Sequence, residues 1–391
     1  MPTRLLTETF TRFAESERSG GILLVLCTAL SLTLANSGLG PAWLGFWHAE
    51  WAGMSVEHWV NDGLMAIFFL MIGLELEREL YVGELSSLRH ALLPIVAAIG
   101  GMAAPALIHY ALNNGLPTQP GLGIPMATDI AFALGALSLL GARIPAPLKV
   151  FVVAFAVIDD LGAIVMIALF YTKQLSLPHL AGSLAIWVAL LVLNRSRRVH
   201  ALPPYLIGGA LMWVLMLQSG IHATLAGVLL AFAIPFHARD EQTPSPSHVL
   251  ENWLHKPVAF IVLPVFALAN TGVVLQASLW EQVVAPNGIG IMAGLVAGKP
   301  VGIMLLCALA VTLRICRLPE QVNWIHLLGA GLLGGIGFTM SIFITGLAFH
   351  EQALLVDASK LAIFAASVLA GVLGSVVLLA AGKPASEDNT R

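Results

Sequence analysis

Stretches of about 20 apolar residues, each closed by a short polar or proline-bearing turn, recur along this chain from residue 19 to residue 381. A hydrocarbon core about 30 Å thick needs about that length of helix to cross it. Inside it only helices and closed barrels satisfy their own backbone. The runs predict helices at about 19–36, 59–83, 90–113, 121–140, 146–171, 177–194, 203–218, 220–236, 256–278, 286–313, 324–348 and 356–381. The fold class is therefore an all-α integral membrane protein with about twelve transmembrane helices. Composition excludes a soluble alternative: 58% of the residues are hydrophobic and 10% charged, against about 25% charged in ordinary soluble domains.

No stretch is long enough for a separate soluble domain, and residues 1–391 read as a single transmembrane domain in contact with the lipid bilayer. The longest polar stretch, 238–247, reads as a loop. A net charge of −3 with no basic block gives nucleic acid nothing to bind. Cys27, Cys307 and Cys316 are scattered in apolar stretches and read as packing residues, not as a disulfide or metal framework. The first eighteen residues mix Arg and Glu and do not resemble a secretion signal, so the first helix stays as an anchor. With twelve spans and Lys299 set aside inside one of them, every Lys and Arg falls on one face except Lys173 and Lys360. By the positive-inside rule that face is cytoplasmic, and both termini lie on it.

Ionisable groups inside such spans cost about 2.5–3.5 kcal/mol each on insertion scales and mark function by default. This chain keeps Asp62, Asp129, Asp159, Asp160 and Lys299, with His222 as a polar companion. Asp62 lies near a helix start and has a structural explanation as a cap or interfacial residue; His222 follows a tight turn and has one as a packing residue. Asp159 and Asp160 have no such escape, since apolar residues flank them on both sides in mid-span. Adjacent residues on a helix diverge by about 100°, so one carboxylate can line a cavity while the other meets a neighbouring helix. Lys299 sits on a ridge of glycines (Gly290, Gly294, Gly298, Gly302) that admits a second backbone and demands a partner for the ammonium.

Two spans look broken. Pro125 precedes Asp129 in the centre of the fourth, and Gly334, Gly335 and Gly337 precede Thr339 and Ser341 in the eleventh. Non-helical backbone at membrane depth survives only when buried in protein or lining a cavity. Paired interrupted spans are the sequence mark of a transporter's midplane site. Thr128–Gly135 and Thr339–Gly346 share Thr, a Phe four positions on and a Gly seven on, and Ala104-Pro105 parallels Lys299-Pro300. These matches predict inverted repeats at about 90–171 and 286–381, with the remaining helices as a scaffold or interface. The interrupted fourth and eleventh helices would cross at mid-membrane, with Thr128, Gly335, Gly337 and Thr339 at the breaks. Asp129 would neutralise helix N-termini there, as a pre-organising charge rather than a carrier, and Lys299 the C-terminal ends.

These stretches resemble the NhaA family of bacterial Na+/H+ antiporters. The resemblance is carried by Asn61-Asp-Gly-Leu-Met-Ala-Ile-Phe-Phe69, Gly73-Leu-Glu75, Ala127-Thr-Asp-Ile-Ala-Phe-Ala133 and Ile158-Asp-Asp-Leu-Gly-Ala163. His222-Ala-Thr-Leu-Ala-Gly227, Gly298-Lys-Pro300 and Gly335-Ile-Gly-Phe-Thr-Met-Ser-Ile-Phe343 complete it, in family order over nearly the whole chain. It implies a pH-regulated exchanger of the bacterial inner membrane, not an enzyme. Two protons would be exchanged for each Na+ or Li+, with no cofactor beyond the transported ions. It implies Asp160 as principal cation ligand, with Asp159 exchanging protons and pairing with Lys299 in one state. Asp129 and Lys299 match the charges that compensate the crossing. Glu251 matches an acidic residue of a cytoplasmic pH-sensing cluster, and Glu75 one at the cytoplasmic funnel. Asp62 and His222 belong to the same group of pH-sensing or funnel candidates. Family members hold a homodimer through a β-hairpin between the first two helices; here that segment, 38–58, is short and carries Trp43, Trp47 and Trp51. A loop position that resembles a family histidine is Asn252.

The residues suggest a mechanism of their own. A carboxylate taken out of water needs a neutraliser, and Na+ and H+ are alternatives at one site, so either lets it change facing while the empty, charged site does not. Two rivals stay open on sequence alone. An intramembrane aspartyl protease would pair Asp129 with Asp159 or Asp160 around a shared proton. A Na+-coupled symporter of organic anions would need an enlarged cavity and no proton dependence.

Overall fold

The computed structural model describes residues 2–172, 175–196, 201–237, 244–350 and 352–382, and of residues 2–18 and 142 the backbone alone. Part of the expected orientation rests on Lys173, Arg197, Arg198, Arg239, Lys383 and Arg391, which lie outside the described residues, as do residues 238–243 of the expected loop. Among the described residues eight helices are long and apolar enough to cross a membrane, or up to ten with each bent pair counted as one span.

Helix α1 (Pro2–Ala35) ends in a sharp turn, and α2 (Gly40–His48) leaves its spanning part at 113°. A hairpin follows, of strands β1 (Glu50–Trp51) and β2 (Met54–Ser55) paired antiparallel. Its turn residues Ala52 and Gly53 have φ of +50° and +85°, the left-handed pair that matches the twist of short strands. The short tryptophan-rich segment thus does hold a β-hairpin, reduced to two residues per strand.

The helices then run α3 (Val56–Tyr81), α4 (Leu88–Asn113), a 3-10 arm (Gln119–Met126), α5 (Ile130–Leu140), α6 (Ala146–Phe170), α7 (Leu177–Arg195), α8 (Pro203–Leu217) and α9 (Leu225–Ala231). After these come α10 (Pro246–Asn270), α11 (Ala277–Val283), α12 (Pro286–Thr312), α13 (Trp324–Gly334), α14 (Phe338–Ala348) and α15 (Ala353–Ala381). Two expected spans differ. The eighth, 220–236, keeps helix only in α9, because Gly220 turns at φ +85° and Pro235 ends the run. The ninth starts ahead of its expected position at 256, because Ser245 caps the chain by accepting from His248 N and Pro246 occupies the first helical turn. It stops at Asn270, and extended chain leads to α11. Pro246 and Ser247 are therefore helical, not loop, and Glu251 and Asn252 lie on a helix.

Two compact units divide the chain. One comprises Met1–Val25, Ser87–Ala163 and Val273–Arg391; the other comprises Leu26–Ser86 and Ile164–Gly272. In the first, α4 and α12 cross so closely that a Cβ on Gly100 would strike the Gly302 carbonyl, and one on Gly302 the Gly100 carbonyl. The glycine ridge on α12 continues beneath Pro105 and Pro125 at Gly294 and beneath Pro105 at Gly298. Lys299 follows directly on a π-turn, Gly294–Gly298, and Asp62 lies within another, Trp59–Leu64. Such bulges re-aim side chains and gather at functional sites.

Candidate functional site

The first unit contains both breaks. The 3-10 arm ends as Pro125 withholds an amide hydrogen and Ala127 goes extended (φ −75°, ψ 146°), after which Asp129 caps α5. The other break lies between α13 and α14, bent by 45° at Gly335, Ile336 and Gly337. Here glycine is a matter of clearance. A Cβ on Gly337 would lie 3.0 Å from the Ala127 carbonyl oxygen, and one on Gly335 would strike the Leu295 carbonyl.

The breaks are stitched to one another. Asp129 N donates to Ile336 O at 2.6 Å, Thr128 Oγ1 to Gly334 O at 2.8 Å, and Ser341 Oγ to Ile124 O at 2.7 Å. Backbone that lost its helical partners thereby regains them, as burial in an apolar surrounding requires. Asp129 Oδ1 accepts from Phe132 N at 3.2 Å in its own helix. Its Oδ2 accepts from Thr339 N at 3.0 Å and from the Thr339 hydroxyl. One carboxylate thus caps two helix N-termini, α5 and α14, where partial positive charge collects.

Lys299 answers the opposite pole. Its Nζ donates to Met126 O, the last carbonyl of the 3-10 arm, and to Asp159 Oδ2 at 2.9 Å. Both side chains of that ion pair are 0% exposed. Asp160, one position on, is buried as well and lies within electrostatic reach of Lys299. Breaks, capping carboxylate, ammonium and adjacent acids therefore form one constellation. This arrangement speaks against a protease dyad: the Asp129 carboxylate is committed to helix ends and the Asp159 carboxylate to an ammonium, not to each other.

The other sequence-selected residues lie in the second unit, at two places. On α3, Arg78 is a hub: Nε to Glu251 Oε1 at 2.8 Å, Nη1 to Glu79 Oε1 at 3.0 Å, and Nη2 to Glu75 Oε1 at 3.6 Å. His248 stands 3.6 Å from Glu251 on its other side. Glu75 and Glu251 are thus brought together, and the sequence reading missed the guanidinium that joins them. Helical spacing of three between Glu75 and Arg78 was the available signal. It also missed Glu77, buried and accepting from Ser247 Oγ at 2.8 Å.

About 20 Å along α3 by helical rise, Asp62 is bracketed by His58 Nε2 at 2.8 Å and His222 Nε2 at 3.3 Å. Asp62 is a buried acid within a π-turn, and His222 is its partner. His58, four residues ahead, was legible by spacing and overlooked.

Comparisons with known proteins agree with one another. The model of a family described as Na+/H+ antiporter 1 matches residues 11–378. The chain is 64% identical over 369 residues to the Na(+)/H(+) antiporter NhaA of Dechloromonas aromatica (strain RCB), covering 94% of this chain and 95% of that one. It is 54% identical over 369 residues to the antiporter of the same name from Cytophaga hutchinsonii, covering 94% of each chain. To that of Mesorhizobium japonicum it is 50% identical over 377 residues, covering 95% of this chain and 94% of the other.

Proposed function

The chain belongs to the Na+/H+ antiporter 1 family and is a multi-pass membrane protein; from that premise we propose that it exchanges Na+ for H+ by alternating access. The observation that carries this reading is the fully buried Asp159–Lys299 pair, 2.9 Å long, set against a crossing of two broken helices. A buried ion pair contributes little net stability, yet removing one partner leaves an uncompensated charge at high cost. Such a pair suits a site that swaps partners: Na+ arriving at Asp160 and Asp159 can replace the ammonium, and protons can replace Na+. Binding a cation and binding protons are then exclusive, which is the requirement for obligatory exchange.

Two proton-exchanging groups facing one cation site make the cycle move net charge, and each elementary charge is worth about 2.3 kcal/mol per 100 mV of membrane potential. The protein would thus act as a secondary transporter, not an enzyme, extruding Na+ or Li+ across a bacterial inner membrane with both termini in the cytoplasm. The Arg78 cluster would adjust its activity to pH. The stub hairpin β1–β2 would serve as the contact of a homodimer. In proteoliposomes with a pH-sensitive dye, an imposed Na+ gradient should drive proton flux, and Asp160→Asn should abolish it. Undiminished flux in that variant, or Na+ movement without counter-flux of protons, would sink the proposal.

A further inference from the structure

A second polar network in the first unit lies outside the crossing, and its hydrogen bonds fit one consistent set of directions. Ser359 Oγ donates to Leu355 O at 2.7 Å, so it must accept from Asn287 Nδ2 at 2.8 Å. That turns Asn287 Oδ1 towards His109 Nε2, 3.0 Å away. The proton of the buried imidazole is thereby assigned to Nε2 and the lone pair to Nδ1. One turn further along α4, Asn113 Nδ2 donates to His109 O at 2.9 Å and to Pro286 O at 3.1 Å, while its Oδ1 accepts from Thr118 Oγ1 at 2.6 Å. His109, Asn113, Asn287 and Ser359 are all buried.

Two arms leave this network and meet again. The 3-10 arm begins after Thr118 and ends at Met126, about 16 Å away by its rise. Helix α12 begins at Pro286, and Lys299 follows Asn287 by about 18 Å of helix. The arms close on one another through Lys299 Nζ and Met126 O. They form a frame of nearly matched sides, pinned at one end by Asn113 and at the other by Lys299. Loosening the first pin lets the arm slide and draws Met126 O from the ammonium. Lys299 then leans on Asp159 alone, and a carboxylate that must satisfy a buried ammonium unaided competes less well for Na+.

We propose that His109 and Asn113 are positioning residues for the exchange site, holding the 3-10 arm against α12 so that Met126 O shares the charge of Lys299 with Asp159. This rests on the exchange reading above. His109 and Asn113 touch no ion; they act through the frame.

The test uses the full-length protein and the variants His109→Leu, His109→Gln, Asn113→Leu and Thr118→Val. Gln places its amide nitrogen where Nε2 stands and should restore the bond to Asn287. In proteoliposomes the two Leu variants should raise KM for Na+ about tenfold, the scale of one lost hydrogen bond to a charged group, with maximal rate within twofold. His109→Gln should stay within twofold of the parent. Hydrogen–deuterium exchange should show the amides of residues 121–124 and 126 exchanging faster in the Leu variants and at parental rates in His109→Gln. Thr118→Val removes one hydroxyl at the end of the network; should the Leu variants fail to fold, its KM, expected to rise about threefold, decides the matter. An unchanged KM in folded variants, or His109→Gln behaving as Leu, overturns the proposal. Parent protein without Na+-driven proton flux would sink the exchange reading instead, and the amide-exchange rates would still decide whether the frame exists.

Discussion

The two charged regions of this molecule balance their charges in opposite ways. At the crossing in the first unit, Asp129 and Lys299 each have partners matched to their charge. Asp129 takes two helix N-termini, and Lys299 takes a carbonyl end and one carboxylate. In the second unit a single guanidinium, 30% exposed, serves Glu75, Glu79 and Glu251, and buried Glu77 lies on the same helix. One region closes Asp129 on helix ends and Asp159 on Lys299, with buried Asp160 beside them; the other crowds three carboxylates round one guanidinium and is left with a surplus. A closed set has few states and changes by exchanging whole partners. A surplus set is filled by degrees from the protons in its surroundings. On the proposed exchange reading, the first suits coupling and the second adjustment.

That contrast breaks most easily at Lys299. Lys299→Ala strands the buried Asp159 carboxylate, and removing one partner of a buried pair costs about 3–5 kcal/mol. The thermal transition of the purified protein should fall accordingly, and transport that moves net charge should be lost. The double variant Lys299→Ala with Asp159→Ala should recover much of the stability and none of the transport. If the single and double variants melt together, the pair is not the closed unit described above.

Asp129→Ala comes next. It removes the cap of α5 and that of α14 at once, at about 1 kcal/mol for each. A loss near 2 kcal/mol in chemical denaturation is expected, with Asp129→Asn intermediate because one acceptor oxygen survives. A loss no greater than one cap would mean that the Thr339 contacts contribute nothing.

Both residues were legible in the sequence for the same reason. A charge amid an apolar run has no solvated alternative, so its type announces the pole that it must face. The breaks were legible because glycines and Pro125 have few other reasons to gather at mid-span. The eighth span was not, since 220–236 is apolar enough for a full helix, and the turn at Gly220 and Pro235 shorten it from either end. The start of α10 was announced by Ser245-Pro246 but hidden from hydropathy by the polar residues after it. The histidine bracket of Asp62 was half legible: His58 lies one turn away, whereas His222 is brought there by tertiary packing alone.

Arg78→Ala tests the second region and should separate stability from regulation. The guanidinium is partly exposed, while Glu75 and Glu79 are buried, so the cost in stability should fall between that of an exposed pair and that of a fully buried one, at about 1–2 kcal/mol. With no cation among Glu75, Glu79 and Glu251, the mutual repulsion of the three is relieved only by protons. The pH–activity profile of Na+-driven exchange should therefore move to the alkaline side while the maximal rate is kept. A lowered maximal rate at an unmoved profile would place Arg78 in the coupling machinery and erase the distinction between the two regions.

The smallest effect belongs to the hairpin, where no charge is at stake. Ala52 holds φ at +50°, a conformation that costs a residue bearing a Cβ about 1–2 kcal/mol and that Asn tolerates better than Ala. Ala52→Asn should raise the thermal transition slightly and leave transport kinetics and pH profile untouched. Since β1 and β2 have two residues each, the turn supplies much of what keeps them paired. If this stub joins two copies of the chain, the same substitution should also shift the monomer–dimer equilibrium towards the dimer in detergent. A stiffer turn with no change in that equilibrium would remove the hairpin from the subunit contact while leaving both charged regions as they are.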